Sequence, residues 1–276
     1  MQPLAVYLLQ QVEAAMAQLE ELPDERAIHQ TRVAIRRLRS TVRVFAELLD
    51  LTEEERARAD EELSWFAGLL GEVRDRQVQR DRFIAVLADL PAEDVPEESV
   101  VRVATLIEQT LLTEERAAAR LVEETLSSER CRALCALLQA WRAKPPVRES
   151  DSPKAHRREV KAAAKKAARK ADKRVAGAVG GADDAALHRA RKAAKRARYA
   201  AEVLAGFGSG RRRRQSYKRL QDVLGAFQDA VVAQETTRRL AQTIDDSECG
   251  FVLGVLYAEA RDHADDVRRQ ARRLVS

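Results

Sequence analysis

Apolar residues recur at three- and four-residue spacings along almost the whole chain, the period of amphipathic helices. Leu4, Leu8, Val12, Ala15 and Leu19 predict a first helix over 4–22. Pro23-Asp24 breaks it and supplies an N-cap for a second helix to about Leu49, whose apolar face holds Ile28, Ile35, Leu38, Val42, Phe45 and Leu49. Thr52 with Glu55 forms a capping box that opens a third helix, with Leu63, Phe66, Leu69 and Leu70 running to Gly71. A fourth segment continues to Leu90, and Pro91 and Pro96 bracket a loop. Helices over 97–126 and 128–143 follow, then a proline- and serine-bearing linker over 144–153. Beyond it the pattern predicts a helix over 154–179, a break at Gly180-Gly181, and a helix capped by Asp183 or Asp184 and ended by Gly206 to Gly210. Helices from Arg211 to about Leu224, from Gly225 to Ile244, and over 247–274 complete the chain. No stretch alternates as a strand would.

One helix is written twice. Setting His29 on His188 places Arg32 on Arg191, Arg36 on Lys195, Arg37 on Arg196 and Arg39 on Arg198. A repeated spacing is harder to obtain by chance than a single motif. At 100° per residue, His29, Arg32, Arg36, Arg39 and Arg43 fall within roughly a quarter-turn of one face and form a stripe about 21 Å long. A second correspondence joins Leu69-Leu70-Gly71 and Asp75 to Val223-Leu224-Gly225 and Asp229. Gly71 lies 42 residues after His29 and Gly225 lies 37 after His188, so the order of parts is kept. The expected architecture is therefore all-α: two pseudo-two-fold-related antiparallel four-helix bundles, one from 1–143 and one from 154–276, together forming one domain. The glycines inside these helical patterns cost about 1 kcal/mol each relative to alanine, which close helix packing or a bend would explain.

Charge sharpens the picture. The net charge is only +5, yet 154–219 holds 22 Lys and Arg against 5 Asp and Glu, while the rest holds 27 against 39. Segregation of this kind points to a polyanionic partner. Lys161, Lys165 and Arg169 step by four along the first helix of the basic region, and Arg214, Lys218 and Gln221 share a face further on. Arg211 to Arg213 read as a basic loop. The helix over 4–22, which stands first in its own half, has no Lys or Arg, so the second half is expected to carry more of the binding. The competing reading is structural: carboxylates such as Glu47, Asp60, Glu61 and Asp75 on neighbouring helices could answer the first stripe.

Convergent guanidinium and ammonium groups suit phosphate oxygens, because charge-assisted and bidentate hydrogen bonds fit them. Phosphate beside His29 or His188 favours the protonated imidazole, so binding is expected to tighten toward pH 6. His156 and His263 have no counterparts and read as surface residues. The sequence holds no GxGxxG, Walker-type loop, GxSxG or HExxH, and no Asp/His cluster suited to a metal; neither cofactor nor catalysis is expected. Cys131, Cys135 and Cys249 form no CxxC and fit a reducing, cytoplasmic setting, with neither export signal nor membrane span expected. Aromatics for stacking on bases are nearly missing from the basic surfaces, Tyr199 and Tyr217 excepted, which disfavours an RNA- or DNA-binding helical protein as the alternative. A metal-dependent phosphohydrolase would need ligands the sequence does not cluster.

The pattern His29-Gln30-Thr31-Arg32-Val33-Ala34-Ile35-Arg36-Arg37-Leu38-Arg39, its echo from His188, and the later Leu-Gly-x-x-(Arg/Gln)-Asp stretches resemble the CHAD family, the conserved-histidine α-helical domain. The resemblance covers nearly the whole chain. It implies two pseudo-symmetric four-helix bundles, binding of inorganic polyphosphate along a basic central surface or pore, and association with polyphosphate granules. Carried onto this sequence, it implies polyphosphate-binding roles for His29, Arg32, Arg36, Arg39 and Arg43, and for His188, Arg191, Lys195 and Arg198. Glu202 stands where Arg43 would repeat and Gln228 where Arg74 would. Expected partners are inorganic polyphosphate, other polyanions such as sulfate or phosphate ions and nucleic acid, and a polyphosphate-metabolising enzyme. No membrane is expected among them.

Overall fold

The computed structural model describes residues 2–90, 95–150, 152–179 and 184–275. The described residues form α-helices, short 3₁₀ turns and connecting loops, with no strand beyond a single bridge between Leu49 and Val147. The helices are α1 (Pro3–Met16), α2 (Glu25–Val44), α3 (Glu53–Ala88), α4 (Glu97–Leu126), α5 (Glu129–Ala143), α6 (Pro153–Val179), α7 (Asp184–Ala205), α8 (Arg211–Ala241) and α9 (Ser247–Val275). The all-helical reading of the sequence holds.

Local chemistry explains most boundaries. Asp24 caps α2 by accepting from the amides of Arg26 and Ala27. Thr52 and Glu55 close their capping box reciprocally, at 3.1 and 2.8 Å. Ser128 caps α5 through the Cys131 amide. Two predicted interruptions are absent. α3 runs unbroken through Gly71, and α8 through Gly225 to Ala241, because one glycine costs too little to break a helix held by its buried residues. Two predicted helices are shorter than their apolar periods. The first ends at Met16, followed by a 3₁₀ turn over Leu19–Glu21, and the second ends at Val44, followed by a 3₁₀ turn over Ala46–Leu48. Phe45 and Leu49 are still buried as predicted, so the periodicity marked burial beyond the helix end. The expected break at Gly180-Gly181, a cap by Asp183 and the loop start at Pro91 lie outside the described residues.

The chain divides into two compact units, Met1–Gly71 with Ala119–Gln221, and Glu72–Ala118 with Asp222–Ser276. Each unit takes chain from both halves of the sequence. Residues 144–150 lie within the first unit and are strapped down: the Asp50 amide donates to Pro146 O and the Arg148 amide to Leu48 O.

In the first unit α7 is well enclosed, with Leu187, Ala190, Ala193, Ala194, Ala197, Tyr199, Ala200, Ala201, Val203 and Leu204 buried. It packs on α6, α2 and α1. The α6 contact is made of small residues: Ala168 and Ala171 meet Ala193, Ala194 and Ala197, with Tyr217 of α8 completing the cluster. Alanines let the two helices approach closely while the Lys and Arg between them stay on the outer face of α6. A second cluster joins Leu4 of α1, Phe45, Val160 and Ala164 of α6, and Val203. The second unit has its own core, built on Phe83, Val103, Ile107, Leu111, Val252, Leu253 and Leu256.

His156, expected at the surface, is only 2% exposed, because it enters the first unit on the inner face of α6 four residues before Val160. Its Nε2 meets no hydrogen-bond partner among the described residues. Burial pushes its pKa below the ordinary histidine value, with Glu159 opposing and Arg148 adding to the effect. The folded chain therefore takes up this proton at lower pH than the unfolded chain. The stabilising contribution is complete above pH about 6.5 and is lost as pH falls from there toward the folded pKa. Thermal melts of the His156→Gln variant should show a smaller loss of Tm between pH 7 and 5 than the wild type; equal losses would assign that pH dependence elsewhere.

Candidate anion-binding site

Every residue that the sequence nominates for anion binding belongs to the first unit. The two stripe helices meet there and run antiparallel: Arg37 of α2 reaches Glu202 of α7, whereas Arg43, further along α2, lies beside Arg196, further back on α7. The stripes thus converge at their C-terminal halves. His29, exposed, and His188, half-buried, sit in the first turns at opposite ends of the pair.

Two clusters form where the helices cross. In one, Asp60 of α3 accepts from both Arg39 and Arg43, the Arg39 Nε at 3.1 Å. Burial alone would raise the Asp60 pKa, but hydrogen bonds from Arg43 and Arg39 outweigh it and hold the carboxyl below its usual range. Arg196 comes in from α7. Burial, then the charges of Arg43, Arg174 and Arg39, push its guanidinium below the ordinary value, with Asp60 opposing. Arg39 and Arg43 thus share one carboxylate, with the Arg196 guanidinium close beside them.

In the other cluster the roles of the helices are exchanged. Glu202 accepts from Arg37 Nε at 3.1 Å, from Arg198 Nε at 3.2 Å and from the Tyr7 hydroxyl at 3.0 Å. Burial and the Glu202 charge push the Tyr7 phenol above its usual pKa, Arg37 opposing, so it remains a neutral donor. Arg198 Nη1 also donates to Gln221 at 3.0 Å. This cluster forms one wall of a cavity of about 1000 Å³ that Arg211, Arg214 and Lys218 also line. Since the repeat sets Arg39 on Arg198 and Arg37 on Arg196, the first cluster brings Arg196 of α7 to Arg39 of α2 and the second brings Arg37 of α2 to Arg198 of α7.

A third concentration of cations lies at the α7–α8 turn. Lys161 and Lys165 of α6 face Arg211, Arg212 and Arg213 across a cavity of about 710 Å³. Gly210 closes this turn at φ +100°, and a Cβ there would come 2.7 Å from Ala201 O, so only glycine fits. Arg157 anchors the turn from α6, donating to Phe207 O at 2.9 Å.

The structure therefore sorts the nominated residues into groups. Arg39 and Arg43 join Asp60; Arg198, Arg214 and Lys218 line the larger cavity; Lys161 and Lys165 line the smaller. Arg169 is exposed on α6 and lines neither. Arg36, Arg191 and Lys195 are half-buried on the stripes. Arg32 lies over Gly71, where an added Cβ would be 3.2 Å from Nη2. The neighbour met is the Arg32 side chain, not the backbone of a closely packed helix. Because the group met is the end of a flexible side chain, Gly71→Ala should raise stability by up to about 1 kcal/mol. It should also displace Arg32 and weaken anion binding a few-fold, read by thermal melts and a binding titration together.

The structural reading of the stripe was right in part, since Asp60 does answer Arg39 and Arg43. Sequence reasoning passed over Arg37, Arg196, Arg174 and the run Arg211 to Arg213. The repeat had already set Arg37 on Arg196, but both lie about 120° around the helix from the middle of their stripes. They point at the partner helix rather than along the stripe. Among the described residues no group of three His, Cys, Asp or Glu could hold a metal ion. No helix among them is long and apolar enough to cross a membrane.

Fold and site define an all-helical protein with two cationic helices crossed inside one unit. The family model of the CHAD domain matches residues 6–238, and the chain belongs to that family. Two uncharacterized proteins of Mycobacterium tuberculosis, MT2285 and Rv2226, are each 34% identical over 255 residues. The match covers 88% of this chain and 46% of theirs, so the chain spans about half the length of these relatives. PptA from Streptomyces chartreusis has a similar fold, with a TM-score of 0.83 at 20% identity over 99% of this chain and 97% of that one. The CHAD domain from the plant Ricinus communis superposes with a TM-score of 0.72 at 24% identity, over 99% and 90% of the two chains.

Proposed function

We propose that the chain binds inorganic polyphosphate without turning it over, and that this binding carries it to polyphosphate granules, where a polyphosphate-metabolising enzyme is the natural partner. The observation that carries the reading is the crossing of α2 and α7, which gathers more guanidiniums than carboxylates in each cluster. Such clusters retain positive charge that a flexible, linear polyanion can satisfy along its length. Family membership supports the same reading. Each half of the sequence, 1–143 and 154–276, contributes one stripe. The larger share of binding falls to the second half, because the helix that stands first in the other half, over 4–22, has no Lys or Arg to match Lys161, Lys165 and Arg169.

Nucleic acid is the weaker candidate. Tyr199 and Tyr217, the aromatics the sequence sets among the basic residues, are buried, and Tyr217 is tied to Asp172 by a 2.7 Å hydrogen bond, so neither is open to stack on a base. The test is a titration with polyphosphate, RNA and a nucleotide over a range of salt and pH. Polyphosphate should bind tightest at equal phosphate concentration, with affinity falling steeply as salt rises and increasing toward pH 6. RNA that displaces polyphosphate at equal phosphate concentration overturns the anion preference. Orthophosphate release in the presence of Mg²⁺ or Mn²⁺ overturns the non-catalytic part.

A further inference from the structure

The last helix, α9, has an outward face unlike that of an ordinary surface helix. In a chain that is 34% charged, the ten residues from Cys249 to Ala258 carry no charge at all. Cys249, Val252, Leu253 and Leu256 fill the core of the second unit. At 100° per residue, Phe251, Gly254, Val255 and Ala258 turn to the opposite side, with Gly250 at its edge. There Phe251 is 56% exposed, and a Cβ added at Gly250 or Gly254 would meet nothing within 4 Å. Glycine is the poorest helix former after proline, and no described residue comes close enough to require it at these two positions. The face thus presents a large apolar knob, Phe251, beside a shallow depression over Gly254 and Ala258.

We propose that α9 docks against α9 of a second copy of the chain, antiparallel, about a two-fold axis passing between Gly254 and Val255. A knob and a depression on one face are self-complementary under such an axis, the condition for an isologous dimer. Phe251 of each copy then enters the depression over Gly254 and Ala258 of the other, where the missing Cβ atoms let the helices approach closely. Charge selects the direction. Glu248 and Arg261 lie equally far on either side of the axis, so the antiparallel pairing sets each against the other. A parallel pairing sets Glu248 on Glu248 and Arg261 on Arg261, which repel. Both side chains are within reach: Glu248 is 60% exposed with Arg102 to one side, and Arg261 is exposed beside its neighbour Asp262. One pair of helices buries less than the roughly 1,600 Å² of a standard interface, so the dimer is a weak one, with a Kd of roughly 10–100 μM. Every residue used here belongs to the second unit, so the proposal stands apart from the polyphosphate reading.

The test is sedimentation of the full chain in polyphosphate-free buffer, over concentrations from about 1 to about 300 μM, which bracket that Kd. Wild type should move from the mass of one chain, 30.9 kDa, toward twice that value as concentration rises. Gly254→Leu fills the depression and Phe251→Ser removes the knob, and each should weaken dimerisation by about tenfold or more. Gly254→Leu meets open space around its Cβ and improves helix propensity, so the dilute protein should melt no earlier than wild type. Arg261→Glu sets like charges together in the antiparallel dimer only, and should weaken it by about two- to fivefold. Wild type that keeps the mass of one chain throughout overturns the proposal, and so do Gly254→Leu and Phe251→Ser proteins that dimerise as wild type does. Unchanged dimerisation of Arg261→Glu overturns the antiparallel arrangement. Should Gly254→Leu melt early, Phe251→Ser carries the test.

Discussion

Reversing the charge of Arg36 and Lys195 together, as Arg36→Glu with Lys195→Glu, should reduce affinity for long-chain polyphosphate by roughly a thousandfold at low salt. The repeat makes these two positions equivalent, one on each stripe helix; both are half-buried, and each directly precedes in sequence an arginine that crosses to the other helix, Arg37 or Arg196. Each reversal removes one positive charge and adds a negative one, a change of four charges in all. If each is worth about 1 kcal/mol in water-like surroundings at contact distance, the sum approaches three factors of ten. Glutamate is as good a helix former as arginine or lysine, so helicity should persist. A control pair of the same net charge, Arg58→Glu with Arg142→Glu, alters exposed arginines that lie outside every cluster described above. It should change affinity by a small factor only. If both pairs lose binding equally, the protein attracts polyanions by net charge and the crossing of the helices is not the site. Should the glutamate pair melt early, Arg36→Gln with Lys195→Gln carries the same test at half the charge change.

The sequence made the stripe helices legible because their charges and apolar residues follow helical period, and the period survives whatever surrounds it. Ile28, Ile35, Leu38 and Val42 are buried as their spacing requires, and Asp24, Thr52 and Ser128 cap where local chemistry places them. What escaped was which way the charges pair. Arg37 and Arg196 lie off the stripes, and only the packing of α2 on α7 shows that each crosses to the other helix. Glu202 reads in the sequence as a missing cation at the end of the second stripe. In the structure it is the acceptor for Arg37, Arg198 and Tyr7, the same part that Asp60 plays for Arg39 and Arg43. His156 escaped for a related reason: one histidine among the cations of α6 looks solvated until the buried face of that helix is fixed by its alanines. Gly71 and Gly225 were read as helix breaks because propensity is a local signal, and burial along α3 and α8 overrides it.

Glu202→Gln should destabilise the protein and yet strengthen its response to polyphosphate. The carboxylate is 10% exposed and holds two half-buried arginines. Glutamine keeps one acceptor oxygen but turns an NH₂ group toward donors, so a guanidinium or the Tyr7 hydroxyl loses its partner. Losing a charged hydrogen bond in such a place costs about 1.5–3 kcal/mol. For a chain of this size that lowers Tm by roughly 3–10 °C in phosphate-free buffer. Added polyphosphate then has two arginines to itself that in wild type it must share with Glu202. A ligand that binds the folded state more tightly also stabilises it more, so the Tm shift with saturating polyphosphate should be larger in the variant than in wild type. The affinity should rise several-fold. Sodium chloride at matched ionic strength separates specific occupation from screening, since it should recover little of the lost stability. An equal polyphosphate-induced shift in both proteins would mean that the Arg37 and Arg198 cluster is structural, with the anion held elsewhere. A larger shift in the variant would identify Glu202 as a built-in stand-in for phosphate, one that keeps the crossing of α2 and α7 assembled when no polyanion is bound.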